Sequence, residues 1–314
     1  VGDVALQYHV NKDTMVYASY TRGYKPRAFN TVHDFLSFQG TGAILFPFLT
    51  PAQVAVATNN AVADLSFAKP AKKETIDSFE LGFKASLMDR HMTLNAAAFY
   101  TNYKDYQAQI FDTSAIIAPL ILANAGASTK GVEADLGWHS GSTSFNLAAA
   151  YIDSKFKNFK GATCYPTQTL AQGCVAGAQD LTGKPLPDSP KFKLTANISQ
   201  TISMNGFNLI LGSNVAYRSS TLLQANQNPQ TNQPGFALLD ASIGFQSPDE
   251  KIMLTFFANN ITDHFYLTDA EDFFSGATAV VNAAGAIVGP SNFVVGQPAR
   301  DSHRYFGGRL SVKF

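Results

Sequence analysis

The chain has 314 residues, its 23 Lys and Arg are balanced by 23 Asp and Glu, and only 15% of its residues are charged. A formal charge of zero argues against nucleic acid as the main partner, which calls for a basic excess. Charge this far below the usual quarter of a soluble domain, with no apolar run of about 18 residues, excludes a transmembrane helix and fits alternating transmembrane strands.

The chain opens on a strand-like run, Val4-Ala5-Leu6-Gln7-Tyr8-His9-Val10, with no initiator Met and no basic-then-apolar leader before it. An outer-membrane protein needs such a leader, so either it has been removed or the start of the chain lies upstream. About eleven strands of ~10 residues or more are predicted. They lie near residues 3–10, 14–24, 75–87, 92–110, 125–138, 143–156, 190–201, 207–218, 236–246, 251–265 and 303–314.

Period-two alternation separates an apolar from a polar face in several of them. Phe79, Leu81, Phe83, Ala85 and Leu87 oppose Ser78, Glu80, Gly82 and Lys84. Val132, Ala134, Leu136 and Trp138 oppose Glu133 and Asp135. Phe192, Leu194, Ala196 and Ile198 oppose Lys191, Lys193, Thr195 and Asn197. Ala237, Leu239, Ala241, Ile243 and Phe245 oppose Asp240 and Ser242. The last strand sets Phe306, Gly308, Leu310, Val312 and Phe314 against Tyr305, Gly307, Arg309, Ser311 and Lys313.

A β-sandwich would alternate in the same way, so the connections decide. Short turns (Asn11-Lys12-Asp13, Met88 to His91, His139 to Ser142, Ser203 to Gly206, Ser247 to Glu250) alternate with long loops near 25–74, 111–124, 157–189, 219–235 and 266–302. Segregation of loop length is the asymmetry of bacterial barrels, with turns periplasmic and loops extracellular. The first and last strands then both descend. A single-chain barrel begins with an ascending strand, so at least one earlier strand is expected upstream. The predicted fold is all-β: a transmembrane antiparallel barrel, with residues 1–314 as one partial domain. Within the first long loop, Thr50-Pro51-Ala52-Gln53 can start a short helix over 54–65, or the stretch is a coil rich in Ala and Asn.

Cys164 and Cys174 fall in the 157–189 loop on the outer side, where disulfides persist. Closing a loop of that length stabilises by roughly 3 kcal/mol on the chain-entropy model. The six His residues make no metal-binding pair at three- or four-residue spacing. His91 and His139 are expected as solvated rings in periplasmic turns, and His33 and His303 lie near the outer mouth. Nothing matches a nucleophile elbow, a phosphate-binding Gly loop or a metalloprotease helix, so neither catalysis nor a cofactor is indicated. Aromatic residues gather at strand ends as in an interfacial girdle. Tyr103, Tyr106 and Gln107 run on toward the mouth and either join that girdle or line a ligand vestibule. Arg22, Arg27 and Arg218 sit at the same level and either meet lipid phosphates or capture an anionic ligand.

Several motifs resemble those of TonB-dependent outer-membrane receptors. They include Arg22-Gly23-Tyr24-Lys25-Pro26 continuing to Phe29-Asn30, and Glu80-Leu81-Gly82-Phe83-Lys84 followed by Leu94 to Tyr100 and Tyr103-Lys104-Asp105. Asn124-Ala125-Gly126, Lys130-Gly131-Val132-Glu133, Leu239-Asp240-Ala241, Asn259-Asn260-Ile261-Thr262-Asp263 and the terminal Phe314 continue the resemblance in order. It implies a 22-stranded barrel, of which this is the C-terminal half, and a plug encoded upstream. It further implies TonB-energised uptake of a scarce nutrient, most often a ferric siderophore. Inward Glu80, Lys84, Glu133, Asp135 and Asp240 would then face the plug. Arg27-Ala28 departs from the Gly-Gly of many iron-complex receptors, which leaves a cobalamin-like or carbohydrate ligand, or a passive porin-like channel, as the alternatives.

Overall fold

The computed structural model describes residues 1–28, 70–111, 120–281 and 287–313, with side chains of 111, 120, 121 and 273–293 left out. In chain order the strands are β1 (Gly2–Asn11), β2 (Thr14–Lys25), β3 (Glu74–Leu87), β4 (Met92–Phe111), β5 (Leu120–Ser140), β6 (Thr143–Asn158), β7 (Lys160–Thr163) and β8 (Ala178–Asp180). There follow β9 (Phe192–Met204), β10 (Phe207–Arg218), β11 (Thr221–Leu222), β12 (Asn232–Gln233), β13 (Phe236–Gln246), β14 (Ile252–Asn259), β15 (Leu267–Val281), β16 (Ile287–Pro298) and β17 (Tyr305–Val312). Eleven of them form one antiparallel sheet in the order β1-β2-β3-β4-β5-β6-β9-β10-β13-β14-β17. The sheet is open, with β1 and β17 as its edges. Among the described residues no helix is long and apolar enough to cross a membrane. The predicted helix over 54–65 and the terminal Phe314 lie outside the described residues.

The register carries the alternation from strand to strand. Tyr20 faces Phe79, which faces Tyr100, and Ala18, Leu81, Ala98 and Val132 form the next row. Tyr151 meets Phe192, and Ile243 meets Phe256. All the apolar sets read from the sequence therefore share one face of the sheet. Among the described residues nothing covers that face: Leu81 is 63% exposed, Leu310 65% and Phe306 73%. A sandwich would bury these side chains under a second layer. Aromatic residues cap the band at its upper edge, namely Tyr20, Phe79, Tyr100, Tyr151, Phe192, Tyr217 and Phe306. From Phe79 to Leu87 the strand rises about 27 Å, which at the usual barrel tilt projects to about 21 Å, close to the ~25 Å apolar band of outer-membrane barrels.

The opposite face is polar and knitted by side chains. Tyr17 donates to Glu80 Oε1, Asn95 donates to Asp135 Oδ2 at 2.8 Å, and Asn146 donates to Asn197 Oδ1 at 3.0 Å. The Tyr17 ring lies flat over Gly82, where a Cβ would come within 2.1 Å of it. Phe257 fills the space above Gly307 in the same way. Small residues there admit a large ring from the neighbouring strand, as close packing on a curved wall requires.

Several boundaries differ from the sequence reading. β5 starts at Leu120 rather than near 125, because Ala123 and Ala125 continue the sheet into a small core with Ala108, Phe156, Phe159, Ala162 and Leu181. β14 ends at Asn259 rather than 265, because Asn260 takes a left-handed φ of 47° and turns the chain. The outer loops also carry order of their own. β7 pairs with β8, β11 with β12, and β15 with β16, the last inside the stretch expected to be loop near 266–302.

Candidate functional site: the lumenal wall and outer mouth

Arg218 closes β10 on the polar face, directly opposite Lys193 of β9 and Phe236 of β13. Its Nη2 donates to Asp188 Oδ1 at 2.7 Å, and its guanidinium stands 5.8 Å over the Phe236 ring. Phe236 in turn stacks on Tyr266 at 4.5 Å and on His264 at 5.3 Å. Burial, with the Asp301 carboxylate adding to it, pushes the Tyr266 phenol up. The Arg218 Nε is buried without a partner among the described residues. A cation over stacked rings, with a second cation across the ladder, suits an anionic or aromatic ligand.

Below this cluster Asp240 organises the turn after β14. Its Oδ1 accepts from the Asn260 N–H at 2.8 Å and its Oδ2 from Asn214 Nδ2 at 3.1 Å. Asn260 is buried; its Nδ2 donates to the carbonyls of His264 and Asp301, and its Oδ1 accepts from the His264 N–H. The Asn-Asn-Ile-Thr-Asp motif is thus a turn lock, with Asn in the left-handed position that suits it.

Three outer segments are sewn into one block. Gln179 donates to the Asn226 carbonyl at 2.8 Å, and Gln227 to the Pro185 carbonyl at 3.1 Å. Asn226 and Asn228 both donate to the buried Asp272 of β15, at 2.9–3.1 Å and 2.9 Å. Gln233 accepts from the Leu267 N–H. Cys164 and Cys174 are joined, closing the first of these segments on itself. Residues 157–189, 219–235 and β15 are therefore joined into one block at the mouth.

The sequence candidates part company here. Tyr103 points to the polar face with its ring edge-on to Tyr106 at 5.9 Å. Arg27 is exposed at the rim. Tyr106, however, packs on Phe156 in the small upper core rather than lining a vestibule. Gln107 is 5% exposed; its Nε2 donates to the carbonyls of Pro26 and Lys72 at 2.7 and 3.1 Å, and its Oε1 is buried without a partner among the described residues. It clamps the two ends of the first long loop. Arg22 lies on the apolar face above the girdle, paired with Asp77 at 2.7 Å, at the level of lipid head groups. Of the polar residues expected inward, Glu80, Lys84, Glu133, Asp135 and Asp240 all occupy the polar face by register. His33 is outside the described residues, and His303 Nδ1 lies 3.7 Å from Asp263. Among the described residues no group of three or more His, Cys, Asp or Glu could hold a metal ion.

Sequence reasoning missed Phe236, His264, Asp188 and Asp272 as site residues, and read Tyr266 only as part of the aromatic girdle and of the motif after Asn259. Only the Leu239-Asp240-Ala241 and Asn259-Asn260 motifs pointed near them.

Comparison with known proteins gives a consistent picture. The family model "TonB dependent receptor-like, beta-barrel" matches residues 2–261. The pesticin receptor of Yersinia pestis is 25% identical over 284 residues, covering 90% of this chain and 34% of that protein. Among solved structures, the ferric yersiniabactin uptake receptor FyuA from Yersinia pestis superposes with a TM-score of 0.64 at 19% identity, covering 99% of this chain and 37% of that one. The siderophore receptor PiuA from Acinetobacter baumannii gives 0.60 at 17%, covering 98% and 34%. The ferripyoverdine receptor of the Pseudomonas aeruginosa outer membrane gives 0.57 at 15%, covering 99% and 32%. The chain spans about a third of the length of these relatives.

Proposed function

The chain belongs to the TonB-dependent receptor β-barrel family, and from that premise we propose that it forms half the wall of a 22-stranded outer-membrane barrel that imports a ferric siderophore. Residues 1–314 are one partial barrel domain in this reading, and the open edges at β1 and β17 pair with strands outside it. An unpaired edge in hydrocarbon would leave a row of backbone groups without hydrogen bonds. The observation that carries the proposal is the two-faced sheet, uncovered on its apolar side and knitted by polar side chains on the other.

The chain makes and breaks no covalent bond. The mouth supplies affinity through Arg218, Lys193, Arg27, Tyr103 and the Phe236–Tyr266 stack, where an anionic iron complex meets cations and ring faces. Glu80, Glu133, Asp135 and Lys84 meet the plug along the wall. Release inward follows when the TonB complex draws on that plug.

The test is uptake of iron-labelled siderophores by iron-starved cells carrying or lacking the gene. Uptake of at least one ferric chelate is expected to vanish with the gene and with TonB. Loss of cobalamin or carbohydrate uptake, with every ferric chelate still imported, would refute the iron reading. Entry independent of TonB would instead establish a passive channel.

A further inference from the structure

His91 and His139 lie 48 residues apart in sequence, yet the sheet sets them side by side at the periplasmic rim. His91 ends the turn before β4, and His139 is the next-to-last residue of β5; the His139 N–H donates to the His91 carbonyl at 2.9 Å. Both side chains are exposed, and their ring centroids are 5.1 Å apart with the planes tilted by 52°. The His91 Nδ1 lies 3.2 Å from the His139 carbonyl oxygen. A neutral ring in that position donates from Nδ1 and leaves the Nε2 lone pair free. This is the arrangement by which a backbone carbonyl orients a metal-binding histidine.

We propose that this pair is a binding site for a divalent d-block cation, with the two imidazoles as its protein ligands and water completing the shell. The spacing fits. A metal–nitrogen bond of about 2.0–2.1 Å places the metal about 3.2 Å from each ring centroid, so two rings on one tetrahedral ion have centroids about 5.2 Å apart. The turn that delivers His91 is itself unusual. Met88, Asp89 and Arg90 hold φ values of 54°, 54° and 69°, a run that L side chains rarely adopt. The neighbouring guanidinium is drawn away, with Arg90 Nε 3.7 Å from Asp13 Oδ1. Imidazole pairs favour Cu2+, Ni2+ and Zn2+ over hard cations such as Mg2+. An occupied site would tie the β3–β4 turn to the β5–β6 turn and so brace two adjacent hairpins.

The test uses the full-length receptor without an affinity tag, in detergent, titrated with Cu2+ and Zn2+ and compared with His91→Gln, His139→Gln and the double variant. All three variants keep the heat-resistant migration of a folded barrel, because both rings are exposed. Wild type is expected to bind one more equivalent than the double variant. Each single variant should weaken that equivalent by about tenfold or more, and Cu2+ resonance spectra should show two nitrogen ligands in wild type. Identical binding by wild type and double variant, or a single nitrogen in the spectrum, would overturn the proposal.

Discussion

Placing an arginine on one face of β4 and then on the other, one residue apart, tests the membrane reading directly. Ala96 sits opposite Phe83 on the uncovered face, midway between Phe79 and Leu87 and so about 10 Å below the girdle in projection. Asn95 is its neighbour on the polar face, 2.8 Å from Asp135 and close to Lys84. Ala96→Arg removes almost no packing, so its cost is that of a cation in hydrocarbon, about 2–4 kcal/mol at the midplane. Asn95→Arg exchanges one hydrogen bond for a charge beside Asp135 and Glu133 and should cost less than about 1 kcal/mol. Asn102→Arg, on the same face as Ala96 but above the girdle, should be nearly neutral. Denaturant titration of the full-length protein folded reversibly into fluid vesicles measures all three. If Ala96→Arg fell within about 0.5 kcal/mol of wild type, as surface changes in water do, hydrocarbon would not cover that face. If Asn95→Arg cost as much as Ala96→Arg, the assignment of the faces would be wrong.

Asp272→Ala leaves the Asn226 and Asn228 amides without their acceptor and should loosen the loop block by about 1–3 kcal/mol. Hydrogen exchange is expected to rise in residues 219–235 and stay unchanged in β3–β6. Asn260→Ala forfeits the turn lock at a left-handed φ and should destabilise by about 2 kcal/mol or more, with Asn260→Gly recovering the conformational part alone; thermal melts of the folded barrel read both. In the turn after β13, the Ser247 hydroxyl and then the Lys251 N–H hold the Asp249 carboxyl below its usual range. Its contribution is therefore present above the ordinary carboxylate pKa and fades as pH falls through the lowered value. Ser247→Ala should move the Asp249 midpoint back toward the ordinary value in a carboxylate chemical-shift titration, and an unmoved midpoint would refute that cause.

The face of each spanning strand was legible because alternation is a local property: Leu81, Val132, Ile198 and Leu310 each declare their side within a few residues. Tyr103, Tyr106 and Gln107 were not, since a bulge intervenes. Asp105 takes a φ of 55° and the register slips between Tyr103 and Tyr106, so Tyr106 returns to the face of Tyr103 and Gln107 lands on the other. One inserted residue reverses every later assignment on a strand. The β15–β16 hairpin was hidden for another reason, because its Ala-, Gly- and Val-rich sequence shows no regular alternation. Asp272 finds its partners 44 and 46 residues away, and His91 meets His139 across two strands, separations that no spacing rule searches.

Among the described residues, side-chain amides donate most of the side-chain bonds that join the outer segments. Gln179 and Gln227 join the first two segments through neutral bonds, and Asn226 and Asn228 reach β15 through the Asp272 carboxylate. Hydrogen bonds of this kind are insensitive to salt, whereas exposed ion pairs would weaken with it. Among the described residues, Lys193 faces the polar side opposite Arg218, which pairs with the exposed Asp188 and stands over the Phe236 ring. Asp188 itself is tied to the second segment through its N–H to the Leu222 carbonyl at 2.9 Å.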